Sequence, residues 1–351
     1  MSVSPQLRDR AIAHSGSGEP PSAKRQKVDD SSRASHWPIA VPSLTRSYIW
    51  MTYGDVVLQA EWTIFCVNRD ILMRKSAVFN YMLDIKQPSA KTFEGRRFLQ
   101  LPDSAKDIQL LLDAFYNSFN DPLSMSFDEL SCKLRLGRIY KAHEFERNAL
   151  HFLESQFPHD LPTLDRMENK LRLDWIAAEP GVHVDLLNLA YENGVHTCIP
   201  MMAFHCLSLY SLSQLFSGIE RNDGSYAMLP EQTKLMLALA IEAIILFQRD
   251  NLKWLRKKGI FPVRNCLDPV KCERERKNMC LIESTGVRMN VSYMLEEWGK
   301  VQVDGRYWGN GLCAACKKVA QTEYNAGRVR LWEELPTFFG LAQWHDLRDA
   351  E

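Results

Sequence analysis

Two β-prone runs, Asp55-Val56-Val57-Leu58-Gln59-Ala60 and Thr63-Ile64-Phe65-Cys66-Val67, are separated by Glu61-Trp62 alone, and no other feature restricts the folding of this chain as strongly. Two residues are too few for a crossover and enough for a tight turn, so the pair opens an antiparallel sheet as a hairpin. Ile71, Leu72, Val78, Phe79, Met82 and Leu83 then fall at helical offsets, with Ser76 placed to cap a second helix. Phe98-Leu99-Gln100-Leu101 reads as a third strand, ended by Pro102. Ser104-Ala105-Lys106-Asp107 has the look of a capping box, and Ile108, Leu111, Leu112, Phe115 and Tyr116 form one apolar helix face behind it. After the Asn120-Asp121-Pro122 break, helices are expected around 130–143 and 148–157. This order predicts an α+β unit, a small three-stranded sheet with a helical cluster.

The sequence before this unit has another texture. Residues 1–46 are rich in Ser, Pro, Gly and Ala with little apolar periodicity, so they cannot bury enough surface to offset ordering their backbone and read as a disordered tail. Inside it, Lys24-Arg25-Gln26-Lys27 has the K-R-x-K pattern of a nuclear import signal, with Lys24, Arg25 and Lys27 entering acidic receptor pockets. A solubilising charge run is the plainer alternative.

Several separated blocks resemble the BTB (POZ) domain. They are Asp55-Val56-Val57-Leu58, Phe65-x-Val67-Asn68-Arg69-x-Ile71-Leu72-x-x-x-Ser76-x-x-Phe79-x-x-Met82-Leu83, Phe98-x-x-Leu101-Pro102-Asp103, and Leu134-Arg135-Leu136-Gly137-Arg138-Ile139-Tyr140-Lys141-Ala142. The chain is similar in particular to fungal BTB-domain proteins, which also carry Leu-Cys-x-x-Cys followed by Trp-x-x-Leu-Pro-x-x-Phe-Gly-Leu-x-x-Trp, here 312–316 and 332–344. The resemblance implies a BTB/POZ fold over 47–157, protein partners and a homodimer. It places Asp55 and Arg69 where the family has a charged pair lining a pocket at the dimer interface; surface charges at strand ends are the alternative. Phe127-Asp128-Glu129 resembles the hydrophobic-x-Glu signature by which some BTB adaptors grip a cullin-type ubiquitin ligase, through Phe127 and Glu129. A carboxylate favoured by a helix N-terminus explains Glu129 as well. The segment before the first strand departs from the family, because Pro38 and Pro42 stand where BTB dimers often swap a long helix.

Past Pro158 the chain reads mainly α-helical, and 158–258 resembles the BACK-type extensions that follow BTB domains. Segments 184–191 and 200–212 are apolar, and 232–247 is apolar on nearly all sides, the pattern of a helix buried in a core. Glu242 interrupts that last run, which falls short of the roughly twenty residues a membrane span needs, and no signal-peptide core is visible near Met1. Neither secretion nor membrane insertion is expected. Forty-three Lys and Arg balance forty-three Asp and Glu, which disfavours general polyanion binding. Nine cysteines, an odd number, fit a reducing compartment, nucleus or cytoplasm, better than a disulfide framework.

The strongest chemical constellation lies in 259–351, which reads as a small Cys/Trp-rich module. Cys313-Ala314-Ala315-Cys316 offers two thiols from one tight turn, and Cys266-x5-Cys272 offers the other two. Four thiolates favour Zn²⁺ and leave no position open for water, so the expected role is structural. Cys280 or a histidine could replace one ligand; ordinary buried thiols, or a redox pair of Cys313 and Cys316, are the alternatives. Between 253 and 280, nine Lys and Arg side chains oppose Asp268, Glu273 and Glu275, which raises nucleic-acid contact against the simpler reading of exposed helix charge. Phosphate-binding, metalloprotease and nucleophile-elbow motifs are missing, and the nine histidines show no partner spacing. The sequence therefore points to a non-enzymatic interaction scaffold or adaptor. The rivals are a nuclear nucleic-acid-linked regulator using 253–280 and a thiol redox enzyme.

Overall fold

The computed structural model describes residues 43–85, 91–117, 125–167, 179–257, 260, 262–284, 291–303 and 306–350. The import cluster Lys24, Arg25 and Lys27 lies outside them. The architecture is mixed α+β. Strands β1 (Thr45–Trp50), β2 (Val56–Ala60), β3 (Thr63–Val67), β4 (Thr92–Phe93) and β5 (Arg96–Leu101) form one sheet in the order β1-β3-β2-β5-β4. The expected hairpin is there: β2 and β3 are antiparallel, joined through Glu61-Trp62 with Glu61 at φ 50°. Strand β5 runs parallel to β2, so the intervening helices α1 (Arg69–Lys75) and α2 (Ala77–Asp84) act as a crossover.

Among the described residues, five strands stand in the sheet where three were expected. β1 pairs in parallel with β3, and β4 is a two-residue edge strand on β5. Both are edges, and an edge strand buries little: in β1 only Ile49 is fully buried, so no clean alternation announces it. β1 also begins inside the segment read as a tail, which moves the start of the folded region to Thr45 or before. The sheet buries side chains on both faces. Val56, Leu58, Phe65 and Val67 pack under the helices, while Val57, Ile64 and Cys66 pack with Trp50, Phe93 and Phe98 on the other side.

Caps explain the helix starts. Ser76 Oγ accepts from the Phe79 N–H (3.1 Å) to begin α2, and Ser104 Oγ does the same from Asp107 (3.1 Å) for α3 (Ala105–Tyr116). Helices α4 (Phe127–Ile139) and α5 (His143–Gln156) pack closely at Gly137, where a Cβ would lie 2.6 Å from that of Glu146. α4 serves two cores at once. Cys132 and Leu136 join the sheet core, whereas Leu130 and Leu134 join the helical core, so the boundary expected near 157 is not a break in packing.

The second core gathers α6 (Leu161–Arg166), α7 (Val182–Glu192), α8 (Ile199–Leu209), α9 (Leu212–Ser217) and α10 (Glu231–Asn251), with a short ribbon of β6 (Ile219–Glu220) and β7 (Tyr226–Ala227). α8, in the segment read as apolar, is buried almost all round. α10 is not: it buries one stripe, and Leu235, Leu239, Ile245 and Leu246 are exposed on the rest. The expectation of an enclosed helix fails because α10 packs on α8, α9 and the C-terminal helix from one side only. α11 (Pro269–Ser284), the pair β8 (Gln302–Val303) and β9 (Arg306–Tyr307), and α12 (Ala314–Phe338) complete the chain. The module expected over 259–351 is not self-contained, because Met294, Leu331, Trp332, Leu335 and Phe339 belong to the helical core. Among the described residues, no helix is long and apolar enough to cross a membrane.

Candidate metal centre

Two helix starts bring four cysteines together. Asp268 begins α11: its carboxylate accepts the Lys271 N–H (2.9 Å), its carbonyl accepts the Cys272 N–H (3.0 Å), and Pro269 occupies the first helical position. Cys272 therefore sits on the first turn, and Cys266 lies just before it in a turn closed by its N–H on the Val263 carbonyl (3.0 Å). Cys313 is the N-cap of α12, with its carbonyl accepting the Lys317 N–H (2.8 Å), and Cys316 follows on the same first turn. The positive ends of both helices thus favour thiolates here.

The four sulfurs lie within 4.8 Å of one another. Cys266 and Cys313 Sγ are 3.7 Å apart, against an edge of about 3.8 Å for a tetrahedron with metal–sulfur bonds near 2.3 Å. The Cys313 N–H donates to Cys272 Sγ at 3.2 Å. Cys272 and Cys316 are fully buried; Cys266 and Cys313 are half-buried. The backbone groups of Cys316 and Leu267 bring the Cys313 thiol down to about 6, while burial pushes Cys272 up and Cys316 up to about 12. One metal ion fits this set, and four protein ligands would leave it no open position. Cys280 stands apart, with its thiol on the Leu255 carbonyl at 3.4 Å.

Tryptophan and tyrosine wall the centre. Trp298 and Trp308 lie 5.3 Å apart, each 5.5 Å from Tyr324, whose hydroxyl donates to the carbonyls of Tyr293 (3.0 Å) and Glu296 (2.9 Å). Gly309, at φ 69°, lets the chain pass against the Trp298 ring, 2.6 Å from where a Cβ would stand. Trp298 and Trp308 pack this core, whereas Trp332 and Trp344 pack with the helical core.

The other expected sites are placed differently. Asp55 and Arg69 form no ion pair: the Asp55 carboxylate accepts the Arg69 backbone N–H (2.7 Å), while the Arg69 guanidinium donates to the Leu83 carbonyl (3.1 Å). Arg97 donates to the same carbonyl at 2.6 Å and to Met82 and Ile85, so both arginines complement the C-terminal end of α2. Phe127 packs partly buried on the helical core, and Glu129 pairs with buried Lys133 at 2.8 Å, so both are engaged within the chain. In the basic stretch, Arg276 is tied to Glu273, and Lys253 to Asp250, whereas Arg264, Lys271, Arg274 and Lys277 are exposed.

One charged constellation was not foreseen. Arg328 of α12 is buried, forks onto Asp165 of α6 and donates through Nε to the Leu295 carbonyl (2.7 Å). Residues 163 positions apart leave no local signal. The pair lines a cleft of about 910 Å³ with Trp298, Lys300 and Trp344, and each of its charges is engaged by the other. Comparison of the chain with protein-family models and with curated proteins finds no match.

Proposed function

We propose that this chain is a non-enzymatic interaction protein of BTB type, braced by a structural zinc ion on Cys266, Cys272, Cys313 and Cys316. The observation that supports the zinc most directly is the convergence of four thiols where a redox pair needs only two. The hairpin β2–β3, followed by two helices and a strand parallel to β2, supports the BTB reading, since it is the order in which the resembling blocks occur. Such a domain recruits protein partners and self-associates. Affinity purification of the full chain with mass spectrometry tests the function: a reproducible partner lost on disrupting 45–157 is expected, and a chain that retains none contradicts it.

The exposed cations Arg264, Lys271, Arg274 and Lys277 beside the centre favour a second reading, contact with nucleic acid. A steep fall of DNA retention with salt is its signature. Replacing Lys24, Arg25 and Lys27 by Ala tests nuclear import, and an unaltered distribution of the tagged protein removes that part of the reading.

A further inference from the structure

A cavity of about 460 Å³ opens between the α1–α2 junction and the turn that joins α4 to α5, and its charges do not balance. Arg74, Lys75, Lys141 and His143 line it, and Glu144 is the one carboxylate among the described residues in its wall. Glu144 is engaged by Lys75 in an ion pair. Its carboxyl is held below the usual range by Lys75 first, and also by Arg147 and Arg74, so all three cations stand around one point. Arg74, Lys141 and Arg147 are exposed and have no ion-pair partner among the described residues. Asp70, one turn before Arg74, makes no ion pair with it, and Glu146 is taken by Arg138.

Lys141 adds a second observation. It takes φ 47° just past the end of α4, in a turn closed by the Ala142 N–H on the Gly137 carbonyl (2.8 Å). Glycine adopts that conformation freely, whereas a lysine there is strained. The turn is fixed by its backbone: the Tyr140 carbonyl accepts the Ser76 hydroxyl (2.5 Å) and the Val78 N–H (3.4 Å) at the start of α2. The fold therefore uses the backbone of residue 141 and leaves its side chain in the cavity wall with the charge unpaired.

We infer that this cavity receives the phosphate of a phosphorylated serine or threonine on a protein partner, an inference that rests on the interaction-protein reading above. Phosphate follows from the charge. Three unpaired cations exceed what one carboxylate can match, whereas a phosphate monoester brings about two negative charges and three acceptor oxygens. Arg74 and Arg147 carry forked donors suited to those oxygens, and Lys141 adds a point charge. A protein source follows from the shape. The site is one bounded pocket with a carboxylate in its wall, whereas a nucleic-acid strand is held by a groove that tracks its backbone with cations.

Retention of the full chain on beads carrying a degenerate peptide library centred on phosphoserine, against the same library centred on serine, tests it. The phosphorylated beads should retain about tenfold more chain. Lys141→Gly should weaken retention about fivefold while the melting temperature holds or rises, since glycine relieves the turn. Arg74→Glu should weaken it at least as much. Lys271→Glu with Arg274→Glu, in the basic stretch beside the cysteine centre, should leave retention as it is. Equal retention on the two libraries, or retention untouched by Lys141→Gly and Arg74→Glu, overturns the inference. Duplex DNA that displaces the chain from the beads as well as free phosphopeptide does overturns it too, because the cations then serve any polyanion. Should the inference fail, partner capture through 45–157 still decides the broader reading on its own.

Discussion

Serine at Cys272 should cost this protein far more than serine at Cys198, although both thiols are fully buried. Cys198 lies in the helical core with its sulfur 4.0 Å from Thr197 Oγ1, so the change there buries a hydroxyl in place of a thiol, at about 1–3 kcal/mol. Cys272 lies within 4.8 Å of three other sulfurs and accepts the Cys313 N–H. A structural four-thiolate zinc site contributes on the order of 10 kcal/mol, so losing one of four ligands forfeits about 3–5 kcal/mol on top of the buried hydroxyl. Whole domains are stable by only about 5–15 kcal/mol, so that sum opens the start of α11 and α12 locally. Elemental analysis should find about one zinc per wild-type chain and per Cys198→Ser chain, and a small fraction in Cys272→Ser. Limited proteolysis should cut Cys272→Ser between α11 and α12 while the β2–α5 region stays protected. Wild-type protein free of zinc, with both serine variants melting alike, would refute the reasoning and leave these cysteines as packing residues.

Gly137→Ala should destabilise by about 1–3 kcal/mol despite the gain of about 1 kcal/mol in helix propensity, because the new Cβ would stand 2.6 Å from that of Glu146; thermal melting checks the sign. Tyr140→Phe removes the hydroxyl that donates to Asp103 Oδ2 at 2.7 Å and should cost about 1.5–3 kcal/mol in denaturant unfolding. Burial and Asp103 raise the Tyr140 phenol above its ordinary value, so its contribution is complete below about pH 10 and lost as pH rises beyond; the Phe variant should show a shallower alkaline decline. Arg328→Met strands Asp165 and the Leu295 carbonyl and should cost about 3–5 kcal/mol, with Asp165→Asn milder, as read by chemical denaturation.

The sheet unit was legible because its signals are local. The two-residue turn at Glu61-Trp62, the caps at Ser76 and Ser104, and the face Ile108, Leu111, Leu112 and Phe115 each fall within one element, and each occurs where it was expected. β1 escaped because one buried residue, Ile49, does not make a pattern. The cysteine set was legible because thiols are rare and their spacing is restrictive. α10 misled because hydrophobicity counts residues without saying which side meets the core. The charges of Asp55 and Arg69 were found at the right junction and matched to the wrong atoms: a carboxylate one residue before β2 reaches the first N–H of α1 sooner than it reaches the guanidinium. Nothing in the sequence near 165 or 328 could have paired Asp165 with Arg328, since only the packing of α6 on α12 creates that contact.

α12 explains why no boundary near 259 isolates the cysteine module. Its first turns carry Cys316, Ala320 and Tyr324 into the core around Trp298 and Trp308, and its last turns carry Leu331, Trp332 and Leu335 into the helical core. Between them, Gly327 admits Asn251 against the helix backbone, and Arg328 fastens it to α6. A helix transmits position well, because each turn is fixed to the next by its backbone hydrogen bonds. A metal ion held at one end would therefore fix the direction in which Trp332 and its stacked neighbour Trp344, 5.0 Å away, approach the other. With no metal bound, the turns before Gly327 would keep the smaller core around Trp298 and Trp308 and the Tyr324 hydroxyl on the Tyr293 and Glu296 carbonyls, while those after Arg328 keep the ion pair and the larger core. Loss of order should then begin at Cys313 and stop near Arg328, which makes the cysteine centre a brace on one arm of α12 and not a support for the whole fold.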